Sequence, residues 1–163
     1  MELVLLIRWL HVLGACVLLG TGAGIAFFMV MAHRSRKPEL IAHTASVVVI
    51  ADTIFTATAV IAQPVTGILL ASMVGWSLDE GWIAVSLGLY VFTGLFWLPV
   101  VWIQIRMRDL ARAAVRQGGA LPDQYFHLYR IWFLCGIPAF IAVLMIVWLM
   151  LARPYIDLGL NVN

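Results

Sequence analysis

The chain has 163 residues, of which 64% are hydrophobic and 11% are charged, and its mean hydropathy is +1.03. Because soluble domains carry about 25% charged residues, this composition excludes a water-soluble globular fold. The formal net charge of +2 is small and its basic residues cluster at the ends of apolar segments, which argues against nucleic-acid binding. Length and composition together predict a single transmembrane domain over residues 1–163.

Four apolar segments follow one another along the chain, and each is long enough to cross a bilayer as a helix. They cover approximately residues 3–32, 45–74, 82–105 and 131–151. A basic loop, 33–38, follows the first segment, and a longer basic loop, 106–130, follows the third. The connection between the second and third segments is short and acidic. The sequence therefore predicts an all-α integral membrane four-helix bundle.

The distribution of basic residues predicts the orientation of this bundle. Lys and Arg residues lie in the first and third connections and are missing from the second, and basic loops are preferentially retained in the cytoplasm. Both basic loops are thus predicted to face the cytoplasm, and both termini and the Asp79–Glu80 turn the periplasm. Four aromatic residues lie where interfacial belts are expected, namely Trp76, Trp82, Trp132 and Tyr155. We expect a multi-pass protein of the bacterial inner (plasma) membrane, with membrane lipids as partners.

Small residues and prolines indicate how the helices pack. Helix 1 contains Gly14, Gly20 and Gly24, and the last two have a spacing that lets the backbone of a neighbouring helix approach closely. We expect these glycines to pack against another helix, within the bundle, in a homo-oligomer or in a membrane complex. Pro64 in helix 2 and Pro99 in helix 3 should each leave a main-chain carbonyl without its helical partner.

Ionisable side chains inside apolar segments are the first candidates for function, because each costs roughly 2.5–3.5 kcal/mol to insert. Arg8 and His11 lie one turn apart on helix 1. Arg8 is close enough to the outer end to reach the lipid headgroups. His11 lies about 12 Å into the membrane, where a neutral imidazole can donate one hydrogen bond and offer its other nitrogen to a metal. A structural hydrogen bond and a metal-ligand role both account for His11.

Other polar side chains are expected at a depth similar to that of His11. Counting eight residues inward from the predicted outer helix ends reaches Gln63, Thr66, Tyr90 and Met145. These residues are predicted to form a polar layer in which His11 bonds to Gln63 or to the carbonyl that Pro64 frees. Alternatively, His11 binds a metal, and Met145 is then a possible second ligand of a haem iron.

Asp52 has two possible positions, because helix 2 is longer than one bilayer crossing. It lies either in the middle of the membrane or near the cytoplasmic headgroups. We expect the second position, with an ion pair to Arg106 or Arg108, since this avoids placing an ionised carboxylate in hydrocarbon.

Motifs from all four helices resemble a bacterial family of predicted integral membrane proteins of unknown function. They are RWLHVLGA (residues 8–15), QPVTGILL (63–70), WLPVVWIQIRMR (97–108) and YFHLYRIWFLCGIPAF (125–140). The resemblance covers nearly the whole chain. It implies a membrane protein and supplies no activity.

A more distant resemblance is to the HemJ-type protoporphyrinogen oxidase and to CopD-type copper-resistance membrane proteins. It is carried by His11, by Thr66–Gly67, by Gly81–Trp82 at the start of helix 3, and by a Tyr-Arg pair followed by a Pro in helix 4. The resemblance implies haem b bound through His11. This sequence has Ala84 and Ser86 where HemJ-type proteins have a His and a Lys, so the resemblance does not carry over the second ligand or the oxidase activity.

Three functions follow from these expectations. The first is a haem b-binding or redox-associated protein in which His11 is the axial ligand, Arg8 lies near a propionate, and Met145 and Gln63 complete the site. The second is a cofactor-free accessory or scaffold subunit that assembles through helix 1. The third is passage of copper or a small solute past His11, Gln63 and Asp52. No catalytic motif typical of soluble enzymes is present, so the chain is not expected to be an enzyme by itself.

Overall fold

The computed structural model describes residues 1–159 and consists of four long helices. They are α1 (Glu2–Ser35), α2 (Pro38–Val74), α3 (Gly81–Gln117) and α4 (Asp123–Ala152). Each is long and apolar enough to cross a membrane, and residues 1–159 contain no strand. The prediction of an all-α membrane protein with four spanning helices is confirmed.

The helices continue beyond the apolar segments, mainly at the end of the bundle that carries the basic loops. We call this the basic end. There α2 begins at Pro38, α3 continues through its arginines to Gln117, and α4 begins at Asp123. The main-chain hydrogen bonds of a helix do not depend on lipid, and the Ala- and Arg-rich stretch of α3 has high helix propensity. The two connections at the basic end are consequently short, at residues 36–37 and 118–122.

The helices form two pairs. α1 packs along the whole length of α2, and α3 packs along α4. α2 contacts α3 through its first half, Pro38–Ala51, whereas α1 and α4 make few contacts. The two pairs are therefore held together mainly at the basic end.

The buried core lies in the same half of the molecule. Its members come from the last turns of α1 and α3 and the first turns of α2 and α4, and the most deeply buried are Met29, Ile41, Met107 and Tyr125. Toward the other end, which carries the Asp79–Glu80 turn and is called here the opposite end, buried side chains become sparse. The loss of close packing there leaves room for a cavity.

α2 contains a π-helical turn at Asp52–Thr56, between the α-helical stretches Pro38–Ala51 and Ala57–Val74. The main-chain N–H of Ala57 donates to the carbonyl of Asp52, five residues earlier. Both side chains at the ends of this turn, those of Asp52 and Thr56, are buried. Such turns occur often at functional sites.

Candidate functional site

A cavity of about 560 Å³ lies between the four helices. Its lining extends along α4 from Trp132 to Val147, which corresponds to roughly 22 Å at the helical rise per residue. Most of the lining is apolar. The polar and part-polar members are Asp52, Thr56, Gln63, Tyr90, Thr93, Trp97, Gln104 and Trp132.

Asp52 lies at the end of the cavity nearest the basic end, and only 4% of its surface is exposed. The indole N–H of Trp97 donates to Asp52 Oδ1 at 3.3 Å. Trp132 Nε1, which can only donate, lies 3.1 Å from the side-chain oxygen of Gln104 and so fixes the orientation of that amide. The Gln104 nitrogen then donates to Asp52 Oδ2 at 3.2 Å. Each carboxyl oxygen thus accepts a hydrogen bond from a neutral donor.

The ion pair that we expected between Asp52 and Arg106 or Arg108 does not form. Arg108 pairs instead with its neighbour Asp109 at 2.9 Å, and no basic side chain among residues 1–159 pairs with Asp52. The expectation failed because it weighed the cost of a buried carboxylate against arginines alone. Hydrogen bonds from indole and amide groups offset part of that cost.

Two further polar groups line the cavity. Thr56 Oγ1 is buried four residues after Asp52 and makes no hydrogen bond of good geometry within residues 1–159. The Tyr90 hydroxyl donates to the main-chain carbonyl of Val60. Since Pro64 has no N–H, it cannot supply the helical bond that the Val60 carbonyl would otherwise accept. The carbonyl freed by Pro64 is therefore bonded by Tyr90 and not by His11.

His11 lies at the contact between α1 and α2 and does not line the cavity. Its Nδ1 is 2.9 Å from Thr66 Oγ1, and the single hydroxyl hydrogen of Thr66 has a closer acceptor in the carbonyl of Ala62, at 2.7 Å. Thr66 Oγ1 therefore accepts from Nδ1–H, which leaves the lone pair of the neutral imidazole on Nε2. Gln63 Nε2 donates to the main-chain carbonyl of His11 at 2.7 Å, so Gln63 connects this contact to the cavity.

Glycines make the α1–α2 contact possible. A Cβ at Gly14 would overlap the side-chain nitrogen of Gln63, and a Cβ at Gly67 would lie 3.2 Å from His11 Cε1. At Gly20 and Gly24, no heavy atom of the described chain outside the local backbone lies within 4 Å of such a Cβ. Within residues 1–159, Gly14 therefore packs against α2 as predicted, whereas Gly20 and Gly24 contact no neighbouring helix at this distance.

Arg8 and Met145, which were also predicted for a haem site, do not line the cavity. Arg8 is exposed on α1, and Met145 is 45% exposed on α4. Histidine and cysteine are missing from the cavity lining, and residues 1–159 contain no group of three or more His, Cys, Asp or Glu side chains that could hold a metal ion. Of the two predicted metal ligands, His11 has one ring nitrogen that the bond to Thr66 does not use, whereas the sulfur of Met145 lies outside the cavity lining.

Sequence reasoning missed the roles of Trp97 and Trp132 beside Asp52. Trp132 was interpreted as an interfacial aromatic, yet it is buried. A usable signal was present, because Trp97 and Gln104 are two helical turns apart and so share one face of α3. A buried indole N–H requires an acceptor, and Asp52 is the acidic residue inside the apolar segments.

Comparison with known proteins identifies the family. Residues 5–154 match the family model described as "Predicted integral membrane protein (DUF2269)", and this range includes every residue that lines the cavity. No curated protein and no solved structure matched the chain. The chain belongs to this family of predicted integral membrane proteins of unknown function.

Proposed function

We propose that the protein binds a small organic molecule that is dissolved in the membrane and that occupies the cavity between the helix pairs. Ligand sites in proteins typically enclose about 300–1,000 Å³, are mostly apolar, and contain a few convergent polar groups. A volume of about 560 Å³ and a predominantly apolar lining fit that description.

The position of Asp52 is the observation that carries this proposal. An acidic side chain inside a membrane helix is costly and usually serves a function. Asp52 lies on the π-helical turn of α2, lines the cavity, and is held by donors from Trp97 and Gln104. Bundle stability alone gives no reason to keep a carboxyl beside an apolar cavity.

The bilayer is the nearest source of such a molecule. Several residues of α1 and α4 that line the cavity are exposed, including Ala23, Ala26, Ile137 and Ile141. Few contacts join these two helices. A ligand that enters between α1 and α4 never has to cross water.

The test is recovery of the ligand from purified protein. The chain is purified in mild detergent, extracted with organic solvent and examined by mass spectrometry. Leucine at Gly22 would project into free space in the cavity, whereas Gly20 has equal space for a side chain but does not line the cavity. We expect a bound molecule in wild type and in Gly20→Leu, and much less of it in Gly22→Leu.

Two results would contradict the proposal, provided that the variants elute as folded protein. One is equal recovery from Gly20→Leu and Gly22→Leu. The other is that wild type yields nothing beyond bulk lipid and detergent.

A second candidate function, haem b binding, is favoured by the tautomer of His11. With Nδ1–H bonded to Thr66, the lone pair of the imidazole lies on Nε2, and ligating histidines are commonly oriented by a hydrogen bond at their other ring nitrogen. Haem would supply one-electron redox chemistry. A reduced-minus-oxidised spectrum of purified protein tests this: we expect a Soret band in wild type and in Asp52→Asn, and its loss in His11→Ala. A folded wild-type protein without the band would exclude haem.

For the location of the protein, we propose the bacterial inner membrane with the basic end in the cytoplasm. Arginine and lysine side chains surround the two connections at that end, whereas the turn between α2 and α3 is acidic. The positive-inside rule supports this orientation.

A further inference from the structure

The hydrogen-bond donors around Asp52 suit a carboxylate, whereas its burial beside an apolar cavity disfavours a negative charge. An ionised carboxylate only accepts hydrogen bonds, and both oxygens of Asp52 face donors, the indole N–H of Trp97 and the amide nitrogen of Gln104. The amide of Gln104 cannot reverse without placing its NH₂ against the indole N–H of Trp132. A protonated Asp52 would have to turn its O–H away from both contacts.

Neutral donors solvate this charge but do not cancel it. Within residues 1–159, no Lys, Arg or His lines the cavity, and Asp52 has no ion pair. An uncompensated buried carboxylate is strongly unfavourable, and an opposite charge in the same low-dielectric space interacts strongly with it. A positive group on the ligand would supply the missing charge.

The rest of the lining indicates what kind of cation fits. Five aromatic side chains line the cavity, namely Tyr90, Trp97, Trp132, Phe133 and Phe140, and aromatic rings attract cations. A hard metal ion needs six or more oxygen ligands. Apart from Asp52, the oxygen-bearing side chains of the lining are few, and those of Tyr90, Thr93 and Gln104 already take part in hydrogen bonds. The remaining apolar walls suit a hydrocarbon body.

We propose that the cavity selects a monovalent organic cation, a protonated or quaternary amine with an apolar body, whose positive centre pairs with Asp52. This inference rests on the proposed function, because it names the class of molecule that the same cavity binds.

Two probes of the same shape test it on the full chain in detergent. Benzyltrimethylammonium and neopentylbenzene differ in a single central atom, which is a positively charged nitrogen in the first and a neutral carbon in the second. Affinities are obtained by titration of the thermal unfolding midpoint, which rises with ligand binding. We expect wild type to bind the cation about tenfold or more tightly than the neutral probe, and Asp52→Asn to lose that preference while it keeps its affinity for the neutral probe.

Gly22→Leu should weaken the binding of both probes, and Gly20→Leu should weaken neither. If wild type binds both probes equally, or if Asp52→Asn keeps the preference for the cation, the cation inference fails while binding in the cavity stands. If wild type binds neither probe but still yields a co-purifying molecule that is uncharged, the inference also fails and the proposed function survives. If neither probe binds and the extraction yields no bound molecule, the cation inference and the proposed function both fail.

Discussion

The hydroxyl of Tyr90 in α3 donates a hydrogen bond to the main-chain carbonyl of Val60 in α2. This bond joins the two helix pairs across the cavity, at a level where α2 and α3 otherwise make little contact. It also satisfies the carbonyl that Pro64 leaves without a helical partner. A proline in one helix and a phenol in another thus act as a complementary pair.

Tyr90→Phe should destabilise the protein. Loss of the hydroxyl leaves the Val60 carbonyl unsatisfied in an apolar setting, at a cost of about 1–3 kcal/mol. The free energy of unfolding in a denaturing-detergent titration measures the effect. Tyr155→Phe is the matched control, since Tyr155 is 93% exposed and its loss of a hydroxyl should change stability by less than about 0.5 kcal/mol.

Restoring the helical donor should reduce the effect of Tyr90→Phe. In a Pro64→Ala background, the N–H of residue 64 can bond the Val60 carbonyl, so Tyr90→Phe should then cost less than it does in wild type. If Tyr90→Phe lowers the free energy of unfolding equally in the two backgrounds, the Tyr90 hydroxyl does not act through the Val60 carbonyl.

Gly14→Ala should weaken the contact between α1 and α2. The added methyl group displaces the side chain of Gln63 and breaks its hydrogen bond to the His11 carbonyl, a loss of about 1 kcal/mol. Gly20→Ala is the control, because a Cβ there meets open space and alanine has the higher helix propensity. Unfolding titrations should therefore show opposite signs for the two variants, and equal stabilisation by both would contradict the role of Gly14.

Of the histidines at the basic end, His33 should contribute more than His127 to the free energy of unfolding. Its ring stacks on Tyr129, with centroids 3.6 Å apart, and its Nδ1 lies 3.3 Å from the hydroxyl of Tyr125, which is fully buried. His33→Phe keeps a ring for stacking but leaves the Tyr125 hydroxyl without this partner, and it should cost about 1–3 kcal/mol. The exposed His127, changed to Phe, should cost less than about 0.5 kcal/mol. Equal losses of unfolding free energy would contradict this assignment.

The orientation of the bundle can be tested by cysteine labelling. In a background with Cys16 and Cys135 changed to Ala, Lys37→Cys and Gly119→Cys should react with an impermeant maleimide only after the inner membrane is permeabilised. Asp79→Cys should react in spheroplasts with an intact membrane. The reverse pattern would place the basic end outside.

The fold could be predicted from the sequence to a greater extent than the site. Apolar segments of sufficient length determine the number of helices, because lipid leaves few alternatives for a polar backbone. Hydropathy carries no information on which side chains meet. It could not show that Asp52 turns toward Trp97, because the π-helical turn changes the helical phase within α2. Counting eight residues inward from each predicted helix end correctly placed His11, Gln63 and Thr66 at the same depth. The count succeeded there because α1 and α2 are neighbours in the chain and pack along their length.

The division of the bundle into a densely packed half and a hollow half has a consequence for sequence divergence. Most residues that hold the four helices together lie near the basic end, while the cavity lining extends from the middle of the bundle toward the opposite end and shares Ile25 and Trp132 with the core. Substitutions at lining positions outside the core, such as Tyr90 or Val143, therefore leave the packing of the core residues in place. Under the proposed function, the size and chemistry of the bound molecule could therefore diverge while the folded scaffold remains intact.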